Sequence, residues 1–282
     1  FGCKEKSKTD EKSPPMVLND STKTRLIAEL KRDAGKPFDT EWIRTTDLER
    51  KVVDQYGFEG IQLIYESFNS ARYYNLGQIP ADCPWHSLNG QSIQESIASN
   101  FAPIQKKLPT LVAAMQDRCE FIYAEKTDSL WRLHYFLKRK LHDGRDYFIV
   151  YTGGPSLKTA LPNANLQAFN WTIPQDLKGF YAIHDGFGEF LDANFILASD
   201  QLRVLGEMMN PIAKEEGAKP EGYAFDDLLE FFPDGAGNAQ CFLRTTSGNN
   251  TTVDWDHETW EISEEEGFYE FIDARMSELD EE

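Results

Sequence analysis

Three carboxylates stand at alternate positions near the end of the chain, at Asp254, Asp256 and Glu258. If this segment is a strand, alternate side chains project from one face, so the three carboxylates lie on the same side. They could bind calcium, but same-face neighbours on one strand are about 7 Å apart, too far for a tight cage without further ligands. We therefore expect a solvated acidic face that meets a basic partner, with no metal and no cofactor. The interleaved Trp255 faces the other way and is expected in the core.

Histidines beside aspartates are the other candidates for chemistry, at His184-Asp185 and His142-Asp143. The first pair could act as an acid and a base together with a carboxylate of the 254–258 segment. However, sequence neighbours point in different directions, and His-Asp before a glycine is a common helix end. The chain has no Gly-x-Ser-x-Gly, His-Glu-x-x-His or P-loop pattern. A hydrolase that uses His184 or His257 remains an alternative, but we expect a protein that is not an enzyme.

A glycine-rich turn, Asp234-Gly235-Ala236-Gly237-Asn238, precedes the acidic segment. Glycine and asparagine adopt positive φ at little steric cost, so this composition predicts a tight reversal between two strands. A phosphate cradle would need a lysine and a following helix, and neither is present here.

The negative charge is concentrated in the second half of the chain. The whole chain of 282 residues has a net charge of −18. Residues 1–150 carry 22 Lys and Arg against 21 Asp and Glu, whereas residues 151–282 carry 7 against 26. Such a field repels nucleic acid and anionic lipid and attracts basic proteins. An acidic surface also serves solubility, and that explanation remains open beside the partner.

The first residues, Phe1-Gly2-Cys3 followed by a charged run, look like the end of a bacterial lipoprotein signal. Lipidation of Cys3 would place the protein on a membrane, with residues 1–15 as a polar tether. The alternative is a plain free cysteine and a cytoplasmic protein. The cysteines at 83, 119 and 241 have no metal-binding spacing and are expected to be buried thiols.

The elements of the first half predict a helix-rich accessory domain, residues 16–152, that ends in a β-meander. The composition and the charge both change at Thr152-Gly153-Gly154-Pro155, which indicates a domain boundary. The segment 130–137 fits a strand, but it could also be a helix because Trp131 and Tyr135 stand four apart. The predicted helices cover residues 21–34 with a cap at Ser21 or Thr22, 46–68 and 104–118, a loop-rich segment covers 75–102, and the strands cover 120–124, 130–137 and 147–151.

The second half, residues 153–282, predicts strands with helices around them. Pro174 is expected to open a helix that closes at Gly186, and Ser199 or Asp200 to cap a helix that Pro211 bends or ends. The other predicted helices cover 157–161 and 264–279, and the strands cover 195–198, 228–232, 240–244 and a segment centred on Trp255.

The order of these parts resembles the SUKH superfamily of immunity proteins, which also includes fungal cell-wall-synthesis regulators. The resemblance covers about residues 161–276 and rests on Trp171-Thr172-Ile173-Pro174, on His184-Asp185-Gly186, on the glycine turn and on Val253-Asp254-Trp255-Asp256. It implies an α+β fold with a mostly antiparallel sheet flanked by helices. The residues that match the pattern and are expected to be architectural are Trp171, Pro174, Gly186, Gly235, Gly237, Asn238 and Trp255.

The resemblance also implies a binding protein that recognises and blocks a cognate toxin, often a basic nuclease. An acidic surface agrees with such a target because it speeds association and occludes a basic cleft. The alternative is an adaptor of an envelope or signalling assembly. The residues expected to contact the partner are Asp185, Glu189, Asp192, Asp226, Asp227, Glu230, Asp234, Asp254, Asp256 and Glu258.

Overall fold

A computed structural model describes residues 19–34, 59–60, 62, 71–128, 130–140, 146–157, 163–189, 195–245, 250–264 and 267–277. Its contacts divide the chain into two compact units, residues 1–70 and 71–282. The first unit contains helix α1 (Asp20–Ala34), which ends where the sequence predicted. Its cap is Asn19 and not Ser21 or Thr22, because the Asn19 Oδ1 accepts from the Thr22 amide at 2.9 Å. The predicted helix at 46–68 falls almost entirely outside the described residues.

The second unit combines helices with two antiparallel sheets, so the predicted α+β class is confirmed. Its described helices are α2 (Ile93–Phe101), α3 (Pro109–Arg118), α4 (Ala164–Ala168), α5 (Gln175–Tyr181), α6 (Gly206–Glu216) and α7 (Phe268–Ser277). Its described strands are β1 (Arg72–Asn75), β2 (Cys119–Lys126), β3 (Trp131–Lys140), β4 (Asp146–Gly153), β5 (Phe187–Glu189), β6 (Phe195–Ile196), β7 (Arg203–Val204), β8 (Leu228–Pro233), β9 (Ala239–Arg244), β10 (Asn250–Trp255) and β11 (Ile262–Glu264).

The first sheet has six strands in the order β1 to β6. It contains the predicted meander as β2, β3 and β4, and residues 131–140 are a strand, as the first of the two alternatives had it. The register places Tyr123, His134, Thr152 and Gly188 side by side across four neighbouring strands. These four positions therefore share one face of the sheet, and this face carries part of the candidate site.

The predicted domain boundary after residue 152 falls inside this sheet, so it does not separate two domains. Strand β4 ends at Gly153 and pairs with β5, which comes from the second half of the chain. The two glycines that suggested a linker instead permit close packing. A Cβ on Gly153 would collide with the His184 ring, and one on Gly154 would collide with the Asp185 carbonyl oxygen.

The second sheet has five strands in the order β11, β10, β9, β8, β7, and it contains the three predicted strands as β8, β9 and β10. A bulge in β8 interrupts its pairing with β9 between Glu230 and Phe232. The carbonyl of Phe231 accepts from the Leu197 amide at 2.9 Å, just beyond β6. One backbone hydrogen bond thus links the two sheets where the bulge frees an acceptor.

The main apolar core joins residues from both halves of the chain. Leu111 of α3, Tyr135 of β3, Phe180 of α5, Phe231 of β8 and Phe268 of α7 belong to one buried cluster. A second cluster surrounds Trp255, as predicted for that residue. The continuity of the first cluster explains why residues 71–282 form one unit.

Helix α7 also supplies the N-terminal cap of α3. The carboxylate of Asp273 accepts from the amides of Thr110 (3.2 Å) and Leu111 (2.8 Å). Helix α3 begins at Pro109 and not at residue 104, and proline suits a first helical position. A capping residue from the far end of the chain is invisible to any local sequence pattern.

Several predicted elements differ from the structure. Helix α2, in the region expected to be loop-rich, begins with a capping box formed by Ser92 and Glu95, a signal present in the sequence. The segment expected to form one helix from residue 199 is a turn, strand β7 and then α6, which keeps Pro211 inside it. Helix α5 ends at Tyr181 and not at Gly186, and strand β6 is shorter than the predicted 195–198. Helix α7 begins at Phe268 and not at residue 264, because strand β11 precedes it. The helix predicted at 157–161 lies mostly outside the described residues.

Candidate functional site

A pocket of about 260 Å³ opens beside strands β4, β5 and β6. Gly188 stands opposite Thr152 in the β4–β5 pairing, so no side chain projects beside Thr152 from strand β5. Gly154 and Gly186 extend this bare wall. The polar residues that line the pocket are Arg132, Thr152, Asp185, Glu189 and Gln201.

Asp185 is held in a fixed orientation on the pocket wall. One carboxylate oxygen accepts from the Ser199 amide (2.7 Å) and the other from the Ser199 hydroxyl (3.0 Å). Burial raises the pKa of the Asp185 carboxyl, and the charge of Asp200 adds to the rise, although the bonds from Ser199 oppose it. A cation in the pocket would stabilise the ionised form of this carboxyl.

Thr152 ends a chain of buried hydrogen bonds that begins at Glu125. The Glu125 carboxylate lies 2.7 Å from His134 Nε2, and His134 Nδ1 lies 2.8 Å from the Thr152 hydroxyl oxygen. Burial favours a raised pKa for Glu125, but the hydrogen bond and charge of His134, with Arg132 and Tyr73, lower it below its usual value. An ionised carboxylate only accepts, so His134 carries a proton on Nε2 and donates it to Glu125.

No sequence pattern marks this chain of hydrogen bonds, because its members are separated along the sequence. Only the register of β2, β3 and β4 places Glu125, His134 and Thr152 on one face. A histidine within an aromatic strand is the only local signal, and alone it does not distinguish a core residue from a site.

His184 is fully buried, and none of its three polar contacts is to a carboxylate. Its Nδ1 lies 2.9 Å from the Gly154 carbonyl, and its Nε2 lies 2.9 Å from both the Asn100 amide nitrogen and the Tyr135 hydroxyl. Since a carbonyl only accepts, Nδ1 carries the proton. Burial lowers the pKa of His184 to about 4. The ring is therefore neutral, and its partners are not carboxylates of the 254–258 segment.

The prediction that Asp254, Asp256 and Glu258 alternate along one strand is wrong. Strand β10 ends at Trp255, and the Asp256 carboxylate accepts from the amides of Glu258 and Thr259, both at 2.8 Å. This side chain satisfies amides that a strand would have used, so the chain turns. His257 does not face an open site either, because its ring Nδ1 donates to the Asn238 side-chain oxygen at 2.8 Å.

The turn after β10 packs on the glycine turn between β8 and β9. Asn238 bonds His257, and the Asp234 carboxylate accepts from the amides of residues 236 and 237. The two turns place four carboxylates at one end of the second sheet, and we call them the acidic turn cluster: Asp234, Asp254, Asp256 and Glu258.

Repulsion between its members affects the acidic turn cluster, most clearly at Asp254. Burial raises the pKa of Asp254, and the charges of Asp234 and Asp256 raise it further. The amides of Thr259 and Glu258 lower the pKa of Asp256. In the described part of the chain, none of the four carboxylates forms an ion pair with Lys or Arg. No group of three or more His, Cys, Asp or Glu among these residues is arranged to hold a metal ion.

Other predicted partner residues lie elsewhere. Asp227 forms an ion pair with Arg244 at 3.9 Å, and the Asp226 carboxylate accepts from Asn210 at 2.7 Å. Asp192 falls outside the described residues. Eight of the ten predicted residues are thus divided among the pocket, which has two, the acidic turn cluster, which has four, and the Asp226–Asp227 edge, which has two.

Glu230 was predicted to contact a partner, and this prediction is wrong. The residue is only 2% exposed, and its carboxylate makes a two-point ion pair with Arg203. The pair also raises the pKa of Arg203. Glu230 holds β7 against β8 and offers nothing to a binding protein.

The substitution Arg203→Ala is expected to cost about 2 kcal/mol of the free energy of unfolding, and Glu230→Gln clearly less. Removing Arg203 leaves the Glu230 charge buried, whereas Gln keeps a neutral acceptor and frees an Arg203 side chain that is 53% exposed. Because of that exposure, the estimate lies below the ~3–5 kcal/mol of a fully buried pair. Urea unfolding of both variants measures the difference. Equal losses of the free energy of unfolding would show that the buried Glu230 charge does not determine the loss.

The predicted architectural residues occupy structural positions. Trp171 is buried and donates its ring N–H to the Asp226 carbonyl at 2.9 Å, and Pro174 directly precedes α5. Gly186, Gly235 and Gly237 all have positive φ, which only glycine adopts freely.

The cysteines at 83, 119 and 241 are buried thiols, as expected. Burial raises the pKa of Cys119 to about 12, so this thiol does not ionise at neutral pH. Cys3 lies outside the described residues. No described helix has both the length and the apolar composition needed to cross a membrane.

Comparison with known proteins gives no relative: no protein-family model, no curated protein and no solved structure matches this chain.

Proposed function

We propose that this protein is a non-enzymatic inhibitor of the immunity type, which binds a basic toxin or effector protein through its acidic surface. The observation that carries the proposal is the acidic turn cluster. The charges of Asp234 and Asp256 raise the pKa of Asp254, and none of the four carboxylates forms an ion pair with Lys or Arg in the described part of the protein. A basic protein that docks there relieves this repulsion, so binding gains energy that no internal contact supplies.

The long-range field supports the same partner. Residues 151–282 carry 19 more acidic than basic residues, counted as 26 against 7. A field of that sign steers a basic protein into contact and resembles the charge of a nucleic acid that a nuclease would bind. Nucleic acid itself is repelled and is not the proposed partner.

The SUKH resemblance supports an inhibitor over other acidic binding proteins. The parts on which it rests are Pro174 before α5, the glycine turn between β8 and β9, and Trp255 at the end of β10. The second candidate is an adaptor of an envelope or signalling assembly, and lipidation of Cys3 would favour it by placing the protein at a membrane.

Capture of partners from the native host by the intact protein, at low and high salt, tests the proposal. One basic protein that is retained stoichiometrically at low salt and lost at high salt supports an inhibitor with an electrostatic interface. Several neutral envelope proteins that are retained regardless of salt would replace the inhibitor with the adaptor.

Neutralising two members of the acidic turn cluster, with Asp254→Asn and Glu258→Gln together, is expected to weaken binding of the captured basic protein by about tenfold at low salt. These two are chosen because Asp234 and Asp256 hold backbone amides, whereas Asp254 accepts only from the Gln240 side chain at 2.8 Å. The loss should arise mainly in the association rate and should shrink as salt is added. Surface plasmon resonance at several salt concentrations measures both.

The matched control is Glu215→Gln with Glu216→Gln, which removes the same charge from the exposed end of α6. The free energy of unfolding of the cluster variant should stay level or rise, since repulsion is relieved. If the control weakens binding as much as the cluster variant does, the interface is not at the acidic turn cluster.

A further inference from the structure

We propose that the outer edge of strand β11 pairs with an extended segment of the basic partner, which adds a strand to the second sheet, an inference that rests on the proposed function. Strand β11 is the last strand on this side of the sheet. An exposed sheet edge binds an extended peptide through main-chain hydrogen bonds, and the side chains beside the edge select the sequence.

The pairing of β11 with β10 determines which main-chain groups face outward. The Asp256 amide donates to the Glu261 carbonyl at 3.1 Å, where the pairing begins. Hydrogen-bonded positions alternate along an antiparallel ladder, so Ser263 is the next residue whose main chain bonds to β10. The N–H and C=O groups of Ile262 and Glu264 therefore point away from β10.

The outward main-chain groups of β11 have no hydrogen-bond partner in the described part of the protein. Glu264 is exposed and Ile262 is half-buried. The strand also lacks the proline and the bulge by which many edge strands prevent pairing. It is only three residues long, so the edge supplies few hydrogen bonds and needs a further source of affinity.

The acidic turn cluster supplies that source of affinity. Asp254 lies opposite Ser263, and Asp256 and Glu258 lie in the turn that leads into β11. Neighbouring strands are about 4.8 Å apart, so an added strand would lie ~10 Å from β10. This distance is comparable with the Debye length of ~10 Å at 0.1 M salt, so the cluster still attracts a basic strand there.

The charge beside the edge favours a basic segment over a second copy of this chain. Glu261 and Glu264 are exposed, and neither forms an ion pair with Lys or Arg in the described part of the chain. The sequence continues with Glu265 and Glu266, and residues 245–274 contain no Lys or Arg. A second copy would bring like charges together, whereas basic side chains on an added strand meet carboxylates.

Titration of the full-length protein with a hexapeptide of alternating lysine and valine, followed by NMR, tests the inference without any protein partner. We expect saturable shifts of the Ile262 and Glu264 amides with a Kd on the order of 1 mM. The matched control is the same peptide methylated on every main-chain nitrogen, which keeps the charge but cannot pair as a strand. This control should bind more weakly by about fivefold or more and leave the two amides nearly unshifted.

The variant Glu264→Pro tests the edge from the side of the protein. Proline removes an outward N–H and leaves the Ser263 bonds to β10 in place. Glu264→Gln is its control, because it removes the same charge and keeps the N–H. We expect proline to weaken binding of the hexapeptide by about fivefold and glutamine by about twofold, with similar midpoints of urea unfolding.

Equal binding of the two peptides, or equal losses for the two variants, would overturn the inference. If Glu264→Pro unfolds much earlier than Glu264→Gln, the comparison of the two peptides on the wild type decides. Loss of the peptide result while salt-sensitive capture of a basic protein persists would reject only this inference. Pairing of the hexapeptide without any captured basic protein would reject the proposed inhibitor and leave the edge as a binding site.

Discussion

Trp255→Ala is expected to lower the free energy of unfolding by about 4 kcal/mol. Trp255 is 1% exposed, packs edge-to-face against Phe225 and donates its ring N–H to the Tyr223 hydroxyl at 3.1 Å. Alanine removes the apolar surface and leaves a cavity in the cluster that also contains Leu228 and Val253. Urea unfolding monitored by circular dichroism measures the loss.

Trp255→Phe provides the control for cavity size. It keeps a ring but removes the donor to Tyr223, so we expect it to cost less than half as much as alanine. Trp255 lies between Asp254 and Asp256. We therefore expect the alanine variant also to weaken binding at the acidic turn cluster under conditions in which it remains folded. A loss below about 1 kcal/mol for alanine would mean that the cluster around Trp255 repacks and that the residue does not anchor it.

Acidification from pH 6.5 to pH 4 is expected to destabilise the protein by roughly 3 kcal/mol through His184 alone. Burial lowers the pKa of this ring from 6.5 to about 4, so the unfolded chain binds a proton in this range before the folded one does. The stabilisation is complete above the unfolded pKa, declines as the pH falls toward the folded pKa, and is lost below it. The expected slope is up to about 1.4 kcal/mol per pH unit.

His184→Gln removes this titration and serves as the reference. The variant should be less stable at neutral pH because it disturbs the contacts to Gly154, Asn100 and Tyr135. The difference between wild type and variant, measured by urea unfolding at each pH, isolates His184 from carboxylates such as Glu95 and Glu125, whose lowered pKa values act at lower pH. A constant difference from pH 6.5 to 4 would show that the pKa of His184 is the same in the folded and the unfolded chain.

The sequence predicted elements well where local chemistry determines them. Aromatic and β-branched runs predicted β2, β3 and β4, and the glycine turn predicted the reversal between β8 and β9, because strand preference and positive φ are properties of nearby residues. The buried position of Trp255 followed from its place in an alternating segment. The α+β class followed from the order of such elements.

The candidate sites were harder to predict from the sequence because they depend on strand register and on long-range packing. The Glu125–His134–Thr152 chain exists only through the pairing of three strands. Glycines 153 and 154 suggested a linker, but their function is to admit the His184 ring and the Asp185 carbonyl. At Asp256 the reason is local. The alternating pattern predicted that the strand continues, but the Asp256 side chain accepts from two following amides and ends it.

The position of helix α7 in the sequence determines when folding can be completed during translation. Its Asp273 caps α3, and its Phe268 and Ile272 complete the main core. During translation the ribosome releases α3 and most of both sheets before α7, so the nascent chain first exposes uncapped amides of α3 and an open apolar surface. The unit formed by residues 71–282 therefore completes its folding only after α7 has emerged.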